Sequence, residues 1–305
     1  MGSVVAKFRG PNAPGMPPYV AVADSLQADV WGAGQLGSAF DPVQGTDLAG
    51  KIALPAGVTV PQLRDRDGLR RRLDSARRDL DSAGERIDGH AHRALDMIAS
   101  GKAQKAFKLD EEPARVRDAY GRDSIGEKAL LARRLVEAGT TFALVSGAWG
   151  YFDHHGDDVR WGGIVKGLRP LLPRIDRVMY ALIGDLEARG LLDSTLVLMM
   201  GEFGREPTTG KTGGRGHWPR VMSMVVAGGG FQHGQVSSPL VHGALGRERG
   251  FGRDLRRSGV PLRSANADML LWRGEPPTGS GLDARLGSAS QFGVFVLCVH
   301  KPLQG

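Results

Sequence analysis

Cysteine is all but missing from this chain. Cys298 is the only one in 305 residues, which excludes an internal disulfide framework and any zinc cluster built on thiolates. Aromatic residues are sparse, and no ladder of alternating basic and aromatic side chains accompanies the net charge of +7. The basic residues are mostly arginines interleaved with Asp and Glu, as in RDRDGLRRRLDSARRDLDSAGER, which is the pattern of a solvated, salt-bridged surface. No nucleic-acid partner is therefore expected. No apolar run reaches the ~18 residues needed to cross a bilayer, so no membrane span is expected either. The opening MGSVVAKFRGPNAPG lacks the apolar core of an export signal. What the chain does have is enough apolar material, 41%, to bury a sizeable core, and 45 glycines to turn it.

Residues 1–60 are rich in Gly and Pro with short apolar pieces, YVAVA (19–23) and KIALPAGVTV (51–60), and read as loops with brief strands. From Leu69 the spacing changes. Leu69, Leu73, Ala76, Leu80, Ala83, Ile87, Ala91, Ala94 and Ile98 alternate by fours and threes, predicting one long amphipathic helix over 62–100 that packs on the core or self-associates. Ser124-Ile-Gly-Glu127 is the capping box of a helix that Gly139 stops. A second helix is expected from near Pro173 to Gly190, facing inward through Ile175, Val178, Met179, Leu182, Ile183 and Leu186. TTFALVSGA (140–148), STLVLMMGEFG (194–204) and RVMSMVVAGGG (220–230) read as buried strands. The alternation predicts an α/β fold whose mostly parallel sheet is covered by helices, with 124–236 as its core. Residues 237–305 carry no period, and the apolar burst FGVFVLCV (292–299) has no visible partner.

Ligands of open α/β sheets bind beyond the carboxyl ends of the strands, so the residues there carry the functional signal. After the first core strand comes Asp153-His154-His155-Gly-Asp157-Asp158, a density of carboxylate and imidazole suited to a divalent cation; the competing reading is a polar turn capping the next helix. After the second comes Glu202, either a metal ligand or an ion-pair partner of Arg205. Before the third lies GGRGHWPR, offering His217 as a ligand and Arg215 as a bidentate holder of an anionic oxygen. Asp153, His155, Glu202 and His217 as metal ligands, with Arg205 and Arg215 as catalytic cations, form the set that metal-assisted phosphoryl or sulfuryl transfer needs. The metal is Zn, Mn, Mg or Ca, and the residues leave its identity open.

SVVAKFRGP, MPPYVAV, GAGQLGSAFDP, YGRDSIGEKALLARRLVEAG, FDHHGDD, LLPRIDRVMYALIGDLEARGLLDSTLVLMMGEFGR and GHWPRVMSMVVAGGGFQHGQV occur here in order. In these motifs the sequence resembles a bacterial family of sulfatase-like proteins catalogued as domain of unknown function 1501, over residues 1–236. The resemblance implies a fold of the alkaline phosphatase superfamily. It places Asp153 and His155 on the family's Asp-x-His, Glu202 where the superfamily has a metal-binding Asp, and His217 on the His before the last strand. Phe203 stands where a His is usual, and Gly216 where an acidic residue is.

The resemblance further implies an incomplete fold, since the family's opening strand and nucleophile region are not among the matched motifs. The expectation is a fragment of a metal-dependent hydrolase of phosphate or sulfate esters, inactive alone, whose exported parent takes a small anionic ester. An irregular, frameshifted tail is expected after Val236. The alternative is a non-catalytic pseudoenzyme or interaction module working through the 62–100 helix.

Overall fold

The computed structural model describes residues 1–23, 32–45, 52–75, 94–146, 153–201, 203–219, 222–231, 236–237, 268–272 and 295–300. The chain is α/β. Strands β1 (Tyr19–Val22), β2 (Val43–Gln44), β3 (Phe142–Ser146), β4 (Thr195–Met200), β7 (Met222–Gly228), β8 (Val236–Ser237), β9 (Asp268–Trp272) and β10 (Phe295–His300) form one sheet in the order β2-β1-β3-β10-β4-β7-β9-β8. β1 pairs in parallel with β2 and β3, and β8 with β9; β10 and β7 run antiparallel to both of their neighbours. Every strand except β7 and β10 therefore points the same way. The mostly parallel expectation holds in that sense, but the third core strand, β7, is antiparallel to β4 rather than a further crossover.

β1 and β3 are apolar on both faces because both are covered. Val20 and Val22 face one way, against Ala103, Ala106 and Phe107 of α3 (Lys102–Phe107) and Leu131 and Leu135 of α5 (Ser124–Ala138). Tyr19 and Ala21 face the other way, toward Ala6 of α1 (Gly2–Arg9), with the Tyr19 ring edge-on to Phe142 at 5.2 Å. On β3, Ala143 and Val145 join the main cluster with Ala129, Leu130 and Val136 of α5. Ile175, Val178, Leu182 and Leu186 of α6 (Arg169–Ala188) close it, so the inward face expected for this helix is the observed one.

Helix ends depart from expectation in instructive ways. α5 is capped by Asp123, whose carboxylate accepts from Gly126 N at 3.1 Å; Ser124 is already the first helical residue. A carboxylate suits the positive end of a helix better than a hydroxyl, which moves the cap back one residue. Gly126 also has no room for a side chain, since a Cβ would lie 2.4 Å from Tyr120 O. α6 begins at Arg169, not at Pro173, because Pro170 takes the first-turn role; a π-turn over Ile164–Leu168 leads into it. Gly139 and Gly190 end α5 and α6 with left-handed backbones and paired closing bonds, Thr140 N→Leu135 O and Leu191 N→Leu186 O.

The segment expected as the brief strand KIALPAGVTV instead turns into α2 (Val60–Ser75), with Thr59 and Gln62 as a reciprocal capping box that the apolar reading overlooked. Leu69, placed first in the heptad stripe, is 59% exposed, while Asp67, paired with Arg70, is buried. Of the expected 62–100 helix, 60–75 and 94–100 are helical, and 76–93 lie outside the described residues. The 292–299 burst was expected to lack partners. Its strand β10 lies between β3 and β4, where it supplies the ladder bonds that two open edges need.

α5 and α6 are locked by ions as well as by packing. Arg133 is fully buried and meets Glu112 at 2.9 Å, Glu137 at 2.6 Å and Asp185 at 2.9 Å. Arg134 adds a second bond to Glu112, Arg189 adds bonds to Asp185 and Glu137, and Tyr120 Oη, at the end of α4 (Ala114–Tyr120), donates to Asp185. Burial would raise the Glu112 carboxyl, but Arg133 and Arg134 overcome it and hold the group below its ordinary value.

Candidate metal centre

β3 and β4 end at the same edge of the sheet, and β7 starts there. From Asp153 on, main-chain bonds zip the chain that follows β3 to the segment before β7. Gly156 bridges Gly213, Asp157 N donates to Thr212 O, Ile164 N to Gly213 O, and Arg215 N to His154 O. This zipper explains the local glycines. A Cβ on Gly214 would fall 1.7 Å from the main chain of His155, and one on Gly167 would strike the His154 ring.

A two-stranded ladder, β5 (Gly204–Arg205) with β6 (His217–Trp218), completes the rim and puts Arg205 directly opposite His217. Directly opposed residues share a face of the ladder. Both side chains accordingly reach the same atom, Asp153 Oδ1: His217 Nε2 at 3.0 Å and an Arg205 guanidinium nitrogen at 3.1 Å. His155 Nε2 lies 2.8 Å from that oxygen and 2.9 Å from His217 Nε2. The imidazoles tilt together at 4.6 Å between centroids, with Phe203 packed on His217 at 4.7 Å.

Asp153, at 6% exposure, forms the floor, while His155 at 39% and His217 at 27% open to solvent. Burial would raise the Asp153 carboxyl, yet the bond from His217 and the charges of His155 and Arg205 hold it below its ordinary value.

Protons satisfy only part of this arrangement. An imidazole nitrogen either donates or accepts, and two Nε2–H groups both aimed at Asp153 Oδ1 would crowd their hydrogens between nitrogens 2.9 Å apart. One cation facing three lone pairs removes the conflict. The three ligand atoms lie within 4.8 Å of one another, a spacing that fits a shared divalent ion.

The structure thus brings together Asp153, His155, His217 and Arg205 of the expected set. Glu202 lies outside the described residues. Arg205 pairs with Asp153, and Arg215 has an exposed side chain two residues before His217. The polar-turn reading of the 153–158 loop applies to Asp157, while Asp153 and His155 belong to the cluster that could hold an ion. Asp157 accepts from the main chains of Lys166 and Gly163 and caps the π-turn, and those bonds hold its carboxyl below its ordinary value. His154 is buried with Nδ1 on Trp161 O at 3.0 Å, fixing the loop from within. Sequence reasoning passed over Lys128, a buried ammonium donating to Ser146 O where β3 ends; its one signal was a lysine on the apolar face of α5.

The family described as "Protein of unknown function (DUF1501)" matches residues 1–269, which carries the likeness past Val236, where it was expected to stop. Searches of curated proteins and of solved structures found no match. Since the family spans most of its length, this chain belongs to DUF1501.

Proposed function

We propose that this chain binds a divalent metal through Asp153, His155 and His217 and serves the hydrolysis of phosphate or sulfate esters. The convergence of three lone-pair atoms, each 2.8–3.0 Å from the next, carries the reading. The resemblance to sulfatase-like proteins of the alkaline phosphatase superfamily points the same way and adds Glu202 as a fourth ligand. A bound divalent ion supplies Lewis acidity that polarises an ester oxygen.

The remaining work falls to the chain. Asp153 brings the negative charge that favours a dication over a proton. Gly214 lets the segment before β7 lie against the His155 main chain, and Gly167 makes room for the His154 ring that anchors the loop. Arg205, and Arg215 at the exposed rim, offer guanidinium groups to a tetrahedral anion, whose oxygens match their fork.

Calorimetric titration with Zn²⁺ and Mn²⁺ tests the reading. One ion should bind, and His155→Ala and His217→Ala should each abolish tight binding. Wild-type protein that binds neither ion would refute it. Nitrophenyl phosphate and nitrophenyl sulfate, assayed on metal-loaded protein, then choose between the esters, and turnover of either would overturn the expectation that the chain is inactive alone. A non-catalytic interaction module is the second reading, favoured by the exposure of Leu69 on α2. Failure to bind metal, together with self-association lost in Leu69→Ser, would select it.

A further inference from the structure

Asp153 Oδ1 is contested. His155 and His217 reach it from the open side, and Arg205 reaches the same oxygen at 3.1 Å from the ladder position opposite His217. A guanidinium in that place does two things to an arriving dication. It occupies acceptor capacity on the one carboxylate seen in the triad, and it sets a positive charge beside the incoming one.

Arg205 is one-fifth exposed, with the Phe203 ring 5.8 Å away, so part of its side chain faces the solvent from which an anion would arrive. An oxyanion at the rim competes with Asp153 for the same guanidinium, and can take it with two parallel bonds where Asp153 is given one.

We propose, resting on the metal reading above, that Arg205 makes the site anion-dependent: it guards Asp153 when no anion is present and leaves it for the substrate's oxyanion, so that metal and anion bind cooperatively. Linkage then requires reciprocity, each ligand tightening the other by one factor. A charge-assisted contact of this kind sets that factor at about tenfold.

The test measures Mn²⁺ affinity from the resonance of the free ion, with and without inorganic phosphate. Wild-type protein should hold Mn²⁺ about tenfold more tightly when phosphate is present. Arg205→Gln should bind Mn²⁺ about tenfold more tightly than wild type without phosphate and lose most of the phosphate effect. Arg205→Lys keeps the charge and should stay near wild type when phosphate is absent. An Arg205 that merely props Asp153 in place gives the opposite sign, with Arg205→Gln weakening Mn²⁺ binding, and that result overturns the proposal. So does wild-type affinity indifferent to phosphate, which needs no variant to fold. Wild-type protein that binds no Mn²⁺ sinks the metal reading itself, and this proposal with it; Mn²⁺ binding without coupling sinks the proposal alone.

Discussion

Replacing Arg133 with Met keeps most of the side chain's volume and removes a fully buried cation. Three carboxylates lose a partner at 2.6–2.9 Å, but none is left alone: Arg134 still holds Glu112, and Arg189 still holds Asp185 and Glu137. Breaking a buried pair costs about 3–5 kcal/mol when the orphan is uncompensated, and the surviving partners place this case near the lower end, about 3 kcal/mol. At roughly 2–4 °C per kcal/mol, the melting temperature should fall by about 6–12 °C at neutral pH. Arg133→Lys should recover little, because one ammonium cannot reproduce a fork that meets three acids.

The pH dependence supplies an internal check. Glu112 is depressed in the folded wild type, so its stabilisation is present above the unfolded carboxylate value of about 4.3 and disappears as pH falls through the lower folded one. Without Arg133 that depression shrinks, and protonation relieves the excess negative charge. The gap between variant and wild type should therefore narrow toward pH 4 in calorimetric scans. Equal melting temperatures at pH 7, or a gap that widens in acid, would refute this account of the network.

Asp153→Asn should weaken Zn²⁺ or Mn²⁺ binding by at least about 100-fold, more than a group behind the ligands would cost, as calorimetry would show. Because the Asp153 carboxyl is depressed, it stabilises the fold above the unfolded value of about 3.9 and less as pH falls through the folded one; urea melts of Asp153→Asn should lack that part of the acid slope. Gly214→Ala pushes a methyl into the His155 main chain and should abolish metal binding while leaving far-UV circular dichroism nearly unchanged. Arg215→Ala should weaken anion binding measurably and leave Mn²⁺ affinity without phosphate within about twofold, since this exposed side chain interacts with anions across solvent.

Much of the centre was legible because it obeys short-range rules. Continuous apolar runs gave β3 and β4, the 3.6-residue period gave the inward face of α6, and polar residues flanking the strands at one sheet edge gave Asp153, His155 and His217. What escaped depends on contacts remote in sequence. The pairing of β10 with β3 and β4 joins segments that no local pattern links, so its apolar run looked orphaned. The contact of Arg205 with Asp153, 52 positions away, comes from the ladder with His217, which no local pattern announces. The heptad stripe divides at its described ends: Ile98 packs on the core as expected, while Leu69 is exposed on a helix that buries Asp67 instead, which apolar spacing alone does not reveal. The capping box at Ser124 failed for a smaller reason, since the acid just before it caps better.

Asp153 and His217 stand 64 positions apart, and the chain between them contains all of α6 and β4. An ion gripped by both would act as a removable cross-link, closing a covalent-like ring around the middle of the fold. Protease digestion patterns should then respond to chelator within 153–217 and stay constant elsewhere, turning cofactor occupancy into a cleavage map of one stretch of polypeptide.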